Sequence, residues 1–242
     1  MNWSAKLRPS GPSQSPTASG AKPGPSSAAA GGAAAAVAHS SANARATNGL
    51  KEFLWLLSDV EQPRILDLGN VSQSTLNFFI NKGFRISTED ILRSWKEFIA
   101  AEEDSLRRMP PGKESARVSQ ASFAEKFLAD AVKYQDESFN GVLVWDLLDY
   151  LDSELMPRLM DRLYDILRPG GVVLAMFHSR TPDRYHRYRV VDEHSIEMVP
   201  SPTISVHARL FQNREILDLF GKFRSSKTFV ARDQLREALF LK

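Results

Sequence analysis

Apolar residues at 50, 53, 54 and 57 recur at helical spacing, and Pro63 closes the helix they predict. The run Arg64-Ile65-Leu66-Asp67-Leu68-Gly69 then reads as a short buried strand entering a glycine turn. Ser72 is placed to cap a second helix with Leu76, Phe79 and Ile80 on one face and Gly83 as its stop. Phe84 to Thr88 is a strand ending at Glu89-Asp90. Between 92 and 126 the pattern is polar, helix-prone over Ser94 to Arg108 and broken at Met109-Pro110-Pro111-Gly112. An apolar strand from Phe139 ends at Asp146. A helix from Ser153 to Leu167 then turns Leu155, Leu159, Leu163 and Ile166 inward, with Pro157 tolerated in its first turn. After the turn Arg168-Pro169-Gly170-Gly171, Val172 to Phe177 is apolar on both faces, as in a parallel sheet covered by helices. A hairpin pairs Tyr185 to Val191 with Ser195 to Val199. The chain closes with a helix capped at Asn213 and two mutually antiparallel strands, Lys227 to Ala231 and Glu237 to Leu241. Strands alternating with helices imply a doubly wound, mostly parallel α/β sheet.

Composition divides this pattern from what precedes it. Residues 1–47 hold 14 Ala, 9 Ser, 5 Gly and 5 Pro, with four basic side chains and no acid. Such a segment buries too little apolar surface to offset roughly 1–2 kcal/mol of backbone entropy per residue, so 1–47 is expected to be a disordered tail and 48–242 the folded domain. The 195 residues after the tail carry 27 basic and 29 acidic side chains, which gives no reason to expect duplex DNA as a partner. The total of zero Cys excludes a disulfide framework, a thiolate metal site and a Cys nucleophile. No apolar run approaches the ~20 residues of a membrane span, and a soluble, cytoplasmic protein is expected. A phosphate-binding G-x-x-x-x-G-K-[ST] loop, a G-x-S-x-G nucleophile elbow and an H-E-x-x-H pair are all missing from the sequence.

In sheets of this kind a ligand lies beyond the carboxyl ends of the strands. Three strands here end in an acid or a glycine turn: Asp67-Leu68-Gly69, Glu89-Asp90 and Asp146. With Asp130-Ala131, the lead Asp136-Glu137-Ser138-Phe139-Asn140 and the turn Leu167-Arg168-Pro169-Gly170-Gly171, this order resembles the class I S-adenosylmethionine-dependent methyltransferases over about 62–178. The strand–helix–paired-strand ending at 213–241 is similar to that family's C-terminus. The resemblance implies a Rossmann-like, three-layer αβα fold with an antiparallel C-terminal strand and S-adenosylmethionine as cofactor. It also implies methyl transfer to an unidentified, small-molecule acceptor. It assigns cofactor binding to Asp67 and Gly69, to Glu89 as ribose acceptor, and to Asp130 and Ala131 on the adenine side. Asp146 and His178, at the ends of the following strands, become catalytic candidates.

The same resemblance exposes a departure. The family's first motif runs D-x-G-x-G-x-G, whereas Gly69-Asn70-Val71-Ser72-Gln73 keeps one glycine of three. A β-branched Val71 at positive φ costs on the order of 1–2 kcal/mol. Alternatively Val71 and Leu76 form a hydrophobic staple around the Ser72 cap. A catalytically degenerate, methyltransferase-fold binding module is therefore the alternative to an enzyme. Each acid also has a structural role open to it: Asp67 holding the turn, Glu89 ending a strand in solvent, Asp130 exposed on a helix, Asp146 capping the next helix. His178 can likewise be structural. Tyr185, Arg187 and Arg189 share one strand face, as an anion grip or a solvated hairpin.

Overall fold

The computed structural model describes residues 44–108, 120–201, 208–231, 233 and 235–242. In chain order these form β1 (Ala44–Ala46), α1 (Asn48–Leu56), β2 (Arg64–Asp67), α2 (Gln73–Asn81), β3 (Arg85–Thr88), α3 (Ile91–Arg107) and α4 (Gln120–Ala131). There follow β4 (Phe139–Trp145), α5 (Leu155–Ile166), β5 (Leu167–His178), β6 (His186–Val190), β7 (Ser195–Pro200), α6 (Asn213–Leu219), β8 (Ser225–Val230) and β9 (Leu235–Leu241). Six strands make the main sheet in the order β3-β2-β4-β5-β9-β8. β2 pairs in parallel with β3 and β4, and β4 with β5, while β9 runs antiparallel between β5 and β8. The result is the Rossmann-like, mostly parallel sheet with an antiparallel C-terminal strand that the alternating pattern implies.

Alternation along the central strands builds two cores. Val142 and Val144 of β4, with Val173, Ala175 and Phe177 of β5, meet α3, α4, α5 and α6 on one face. Leu143 and Trp145, with Val172, Leu174 and Met176, meet α1, α2 and the β6–β7 hairpin on the other. All ten side chains are buried, and a strand apolar on both faces belongs in such a covered position.

Several expectations need correction. Residues 44–47, assigned to the tail by composition, are structured: β1 pairs with β7, and Thr47 caps α1 by accepting from Leu50 N at 3.1 Å. A three-residue Ala-Arg-Ala strand has no periodicity of its own to detect. Val71 is 63% exposed and so makes no staple, and Ile80, expected on the inner face of α2, is 56% exposed. Ser72 occupies the cap position but makes no capping bond through its side chain. Asp130 lies on α4, the exposed helix position open to it from the sequence. The Arg168–Gly171 turn is absorbed into β5 as an irregularity of register, with Gly170 at φ +78°. Met109–Gly112 lies outside the described residues.

Candidate functional site

At the carboxyl end of β2 the chain passes through Asp67, Leu68 and Gly69 before α2. Asp67 Oδ1 accepts from Gly69 N at 3.0 Å, so the carboxylate holds the turn. It also accepts from Trp145 Nε1 at 2.7 Å. Asp67 is 2% exposed, and burial pushes its carboxyl up to about 6, against the lowering pull of those two donors. Neither Gly69 nor Val71 has positive φ, so the loop does without the backbone conformations that the missing glycines would allow. Gly69 is required for another reason: a Cβ there would lie 2.8 Å from Trp145 Cδ1.

The positive φ falls instead on Trp145, at +53°, where β4 ends. Its indole lies against Gly69 on one side and stacks on Tyr188 of β6 on the other, with ring centroids 5.3 Å apart and planes 2° from parallel. The Tyr188 hydroxyl donates to Asp146 Oδ2 at 2.9 Å. Trp145 was not singled out from the sequence. The available signal was its parity with Leu143, which turns both toward the α1–α2 face.

Glu89 and Asp90 follow β3. Asp90 caps α3 by accepting from Arg93 N at 3.3 Å, and it also accepts from Asn70 Nδ2 across the cleft mouth. Glu89 Oε1 accepts from Tyr134 OH at 2.7 Å. Glu89 lines a cleft of about 410 Å³ together with Phe98, Lys126, Phe127, Asp130 and Ala131. The structure thus brings Glu89, Asp130 and Ala131 together, although Asp130 reaches the cleft exposed on a helix. Asp67 and Gly69 stand apart from them, beneath Trp145.

Asp146 and His178 also meet. His178 Nδ1 lies 3.8 Å from Asp146 Oδ2 and 2.9 Å from Asp149 Oδ2, and His178 N donates to that same Asp149 oxygen at 2.8 Å. Asp149, 29 residues from its partner in sequence, was not among the catalytic candidates. Burial drives Asp146 up to about 7, against His178's opposing charge, and burial raises Asp149 as well. For His178, burial alone would lower the imidazole. The bond to Asp149 and the charges of both acids outweigh it and leave the group raised. Asp149 Oδ1 has no hydrogen-bond partner among the described residues. Asp146 makes no helix cap, since its carboxylate is engaged by Tyr188.

S-adenosylmethionine would bring a nucleoside end and an amino-acid end to this edge of the sheet. The Glu89–Asp130 cleft has room and acceptors for the first. The second does not fit, because the face of Gly69 is taken by Trp145 and Asp67 Oδ1 already serves two donors. Among the described residues, no group of three or more His, Cys, Asp or Glu could hold a metal ion, and no helix is long and apolar enough to cross a membrane.

No protein-family model matches the sequence, and no curated protein matches it significantly. Solved structures of similar backbone path include S-adenosylmethionine-dependent methyltransferases. One is the Burkholderia thailandensis 1,6-didemethyltoxoflavin-N1-methyltransferase with S-adenosylhomocysteine bound, at 16% identity over 80% of this chain and 76% of that one, TM-score 0.44. A second is an S-adenosylmethionine-dependent methyltransferase from Methanosarcina mazei, at 17% identity over 75% and 93%, TM-score 0.42. The [4+2]-cyclase SpnF is similar as well, at 11% identity over 79% of each chain, TM-score 0.44. The fold assignment rests on strand order and direction, and function has to be argued from the site.

Proposed function

We propose that this chain keeps a methyltransferase-like frame as a binding module and does not turn over S-adenosylmethionine. The observation carrying this reading is Trp145, whose indole covers Gly69 and takes up Asp67. The protein supplies from its own chain what would fill the amino-acid end of the cofactor site. Titration calorimetry of the full chain with S-adenosylmethionine and S-adenosylhomocysteine tests it. No binding is expected at millimolar ligand for the native protein, and measurable binding is expected once Trp145→Ser removes the indole. Micromolar binding by the native protein overturns the reading.

A second reading is a methyltransferase acting on an unidentified small-molecule acceptor. It is favoured by Glu89, Asp130 and Ala131 sharing one cleft and by Asp146 and His178 lying together at the ends of β4 and β5. In that case the native protein binds the cofactor, Glu89→Ala weakens binding, and His178→Ala abolishes transfer while sparing it. A soluble, cytoplasmic setting goes with either reading.

A further inference from the structure

Trp145 is held by a second sheet. β1, β7 and β6 form it in that order, with Tyr188 of β6 supplying the ring stacked on the indole. β6 is fastened to α2 where Val190 N donates to Thr75 Oγ1 at 3.0 Å. The loop after β6 is tied to the end of α2 by the Lys82–Glu193 ion pair. β7 pairs with β6 over five residue pairs and with β1 over three. Thr47 N extends the β1–β7 pairing by donating to His194 O at 2.8 Å.

β1 in turn is latched to the far side of the main sheet. Arg45 Nη1 donates to Glu237 Oε1 of β9 at 2.7 Å, and its Nε and Nη2 donate to the two Asp233 oxygens at 2.5 and 3.2 Å. Glu237 is 2% exposed. Its other oxygen accepts from Thr47 Oγ1 at 3.0 Å and Gly49 N at 2.5 Å. Without Arg45, Glu237 would keep only the Thr47 and Gly49 donors on its other oxygen, and a buried carboxylate that loses its cationic partner is strongly destabilised.

We propose that β1 is an N-terminal strap that acts through β7 and β6 to keep Trp145 seated over Gly69, and that the site opens when Arg45 leaves Glu237 and Asp233. This rests on the reading of Trp145 as the occupant of the cofactor's place. Val190 and Ile196 are buried against the main sheet and hold the hairpin to it. Release of the strap exposes the β7 edge and removes one of the supports of β6, and so of Tyr188, leaving the Thr75, Lys82 and Asp146 contacts to hold the hairpin. The N-terminal segment thereby controls a site to which it contributes no ligand-facing side chain.

Hydrogen exchange of the full chain tests the strap. Three proteins are compared: native, Arg45→Ala, and Arg45→Ala combined with Ala46→Cys and Ser195→Cys. Ala46 and Ser195 are register partners, and directly opposed strand residues lie close enough to bridge. The chain contains no other Cys, so oxidation fastens β1 to β7 covalently and holds that pairing without the Arg45 latch. In Arg45→Ala the amides of 186–200 and 145–148 are expected to exchange at least about 30-fold faster, while those of 159–166 in α5, on the opposite face of the sheet, change less than about threefold. Oxidised, the triple variant recovers native protection; reduced, it does not. S-adenosylhomocysteine binds Arg45→Ala and not the oxidised triple variant.

Equal acceleration across 159–166, an unchanged hairpin, or no rescue on oxidation overturns the strap. Binding by the native protein defeats the proposed function instead. If Trp145→Ser binds while Arg45→Ala neither loosens nor binds, the strap alone fails.

Discussion

Asp67 and Glu89 stand at the ends of neighbouring parallel strands, close enough that Glu89 N donates to Asp67 O at 2.8 Å. Both close strands at the carboxyl edge of the sheet, yet their surroundings differ. Asp67 is buried under an indole, accepts two bonds at Oδ1 and is raised to about 6. Glu89 keeps one bond, to Tyr134, and faces a cleft of about 410 Å³. Glu89 directly follows Thr88, the register partner of Asp67, and directly precedes Asp90 at the start of α3. The difference between closed and open therefore comes from what reaches each acid across the sheet edge rather than from backbone position. A ligand site on a doubly wound sheet can be filled from within at one end while the other stays intact.

The largest expected effect lies on the sealed side. Trp145→Ala removes a buried ring, the second donor of Asp67 and the partner of Tyr188, and should cost ~3–5 kcal/mol in urea unfolding. A loss below ~1 kcal/mol would mean that the indole is not packed as described.

Next comes a gain. The side-chain amide introduced by Asp67→Asn can still accept from both donors but carries no charge to bury. An acid whose folded pKa is raised from 3.8 to about 6 stabilises the fold least when ionised, so Asp67→Asn should add ~3 kcal/mol at pH 8 and almost nothing at pH 4. A loss at pH 8 would show the charge to be useful there.

The third effect is a pH profile. Asp67 (about 6) and Asp146 (about 7) both hold protons in the folded state after the unfolded chain has released them. His178 is raised too, so its contribution is present below the ordinary imidazole range and fades as pH rises. All three shifts have one sign. Stability should fall between about pH 4 and pH 7, and Asp146→Asn should flatten the upper part of that fall. A maximum near neutrality in the native protein would contradict this.

The smallest effect belongs to the open side. Glu89→Gln should change stability by less than ~0.5 kcal/mol, because the one bond it disturbs is partly exposed and an amide oxygen can still accept it. Urea unfolding beside Asp67→Asn makes the comparison direct.

What could be read from the sequence follows from range. The apolar parity of Val172–Phe177 and the acids closing β2, β3 and β4 are local signals, and they led to the sheet, its covering helices and the edge where the acids gather. The antiparallel pairing of β8 and β9 was legible for the same reason. Asp130 lies on α4, the helix position that was open to it from the sequence, and still reaches the cleft that Glu89 lines. Val71 was given a packing role on spacing alone, although the loop leaves it in solvent. The contacts that shape the site are distant in sequence: Trp145 to Asp67 across 78 residues, Tyr188 to Asp146 across 42, His178 to Asp149 across 29. No window of periodicity spans such pairs. β1 was hidden by composition, since three residues at the end of a small-residue tract gain a strand only from the partner they meet.

Arg45 reaches Asp233 across 188 residues and Glu237 across 192. Contacts so far apart in sequence form late, because the loop they close is nearly the whole chain. On a ribosome Arg45 has no acid to meet until Asp233 and β9 have emerged, so until then β1 has only β7 to hold it. The indole over Gly69 and the tyrosine stacked on it are complete earlier in the chain, and the latch is the last part of that arrangement to be made.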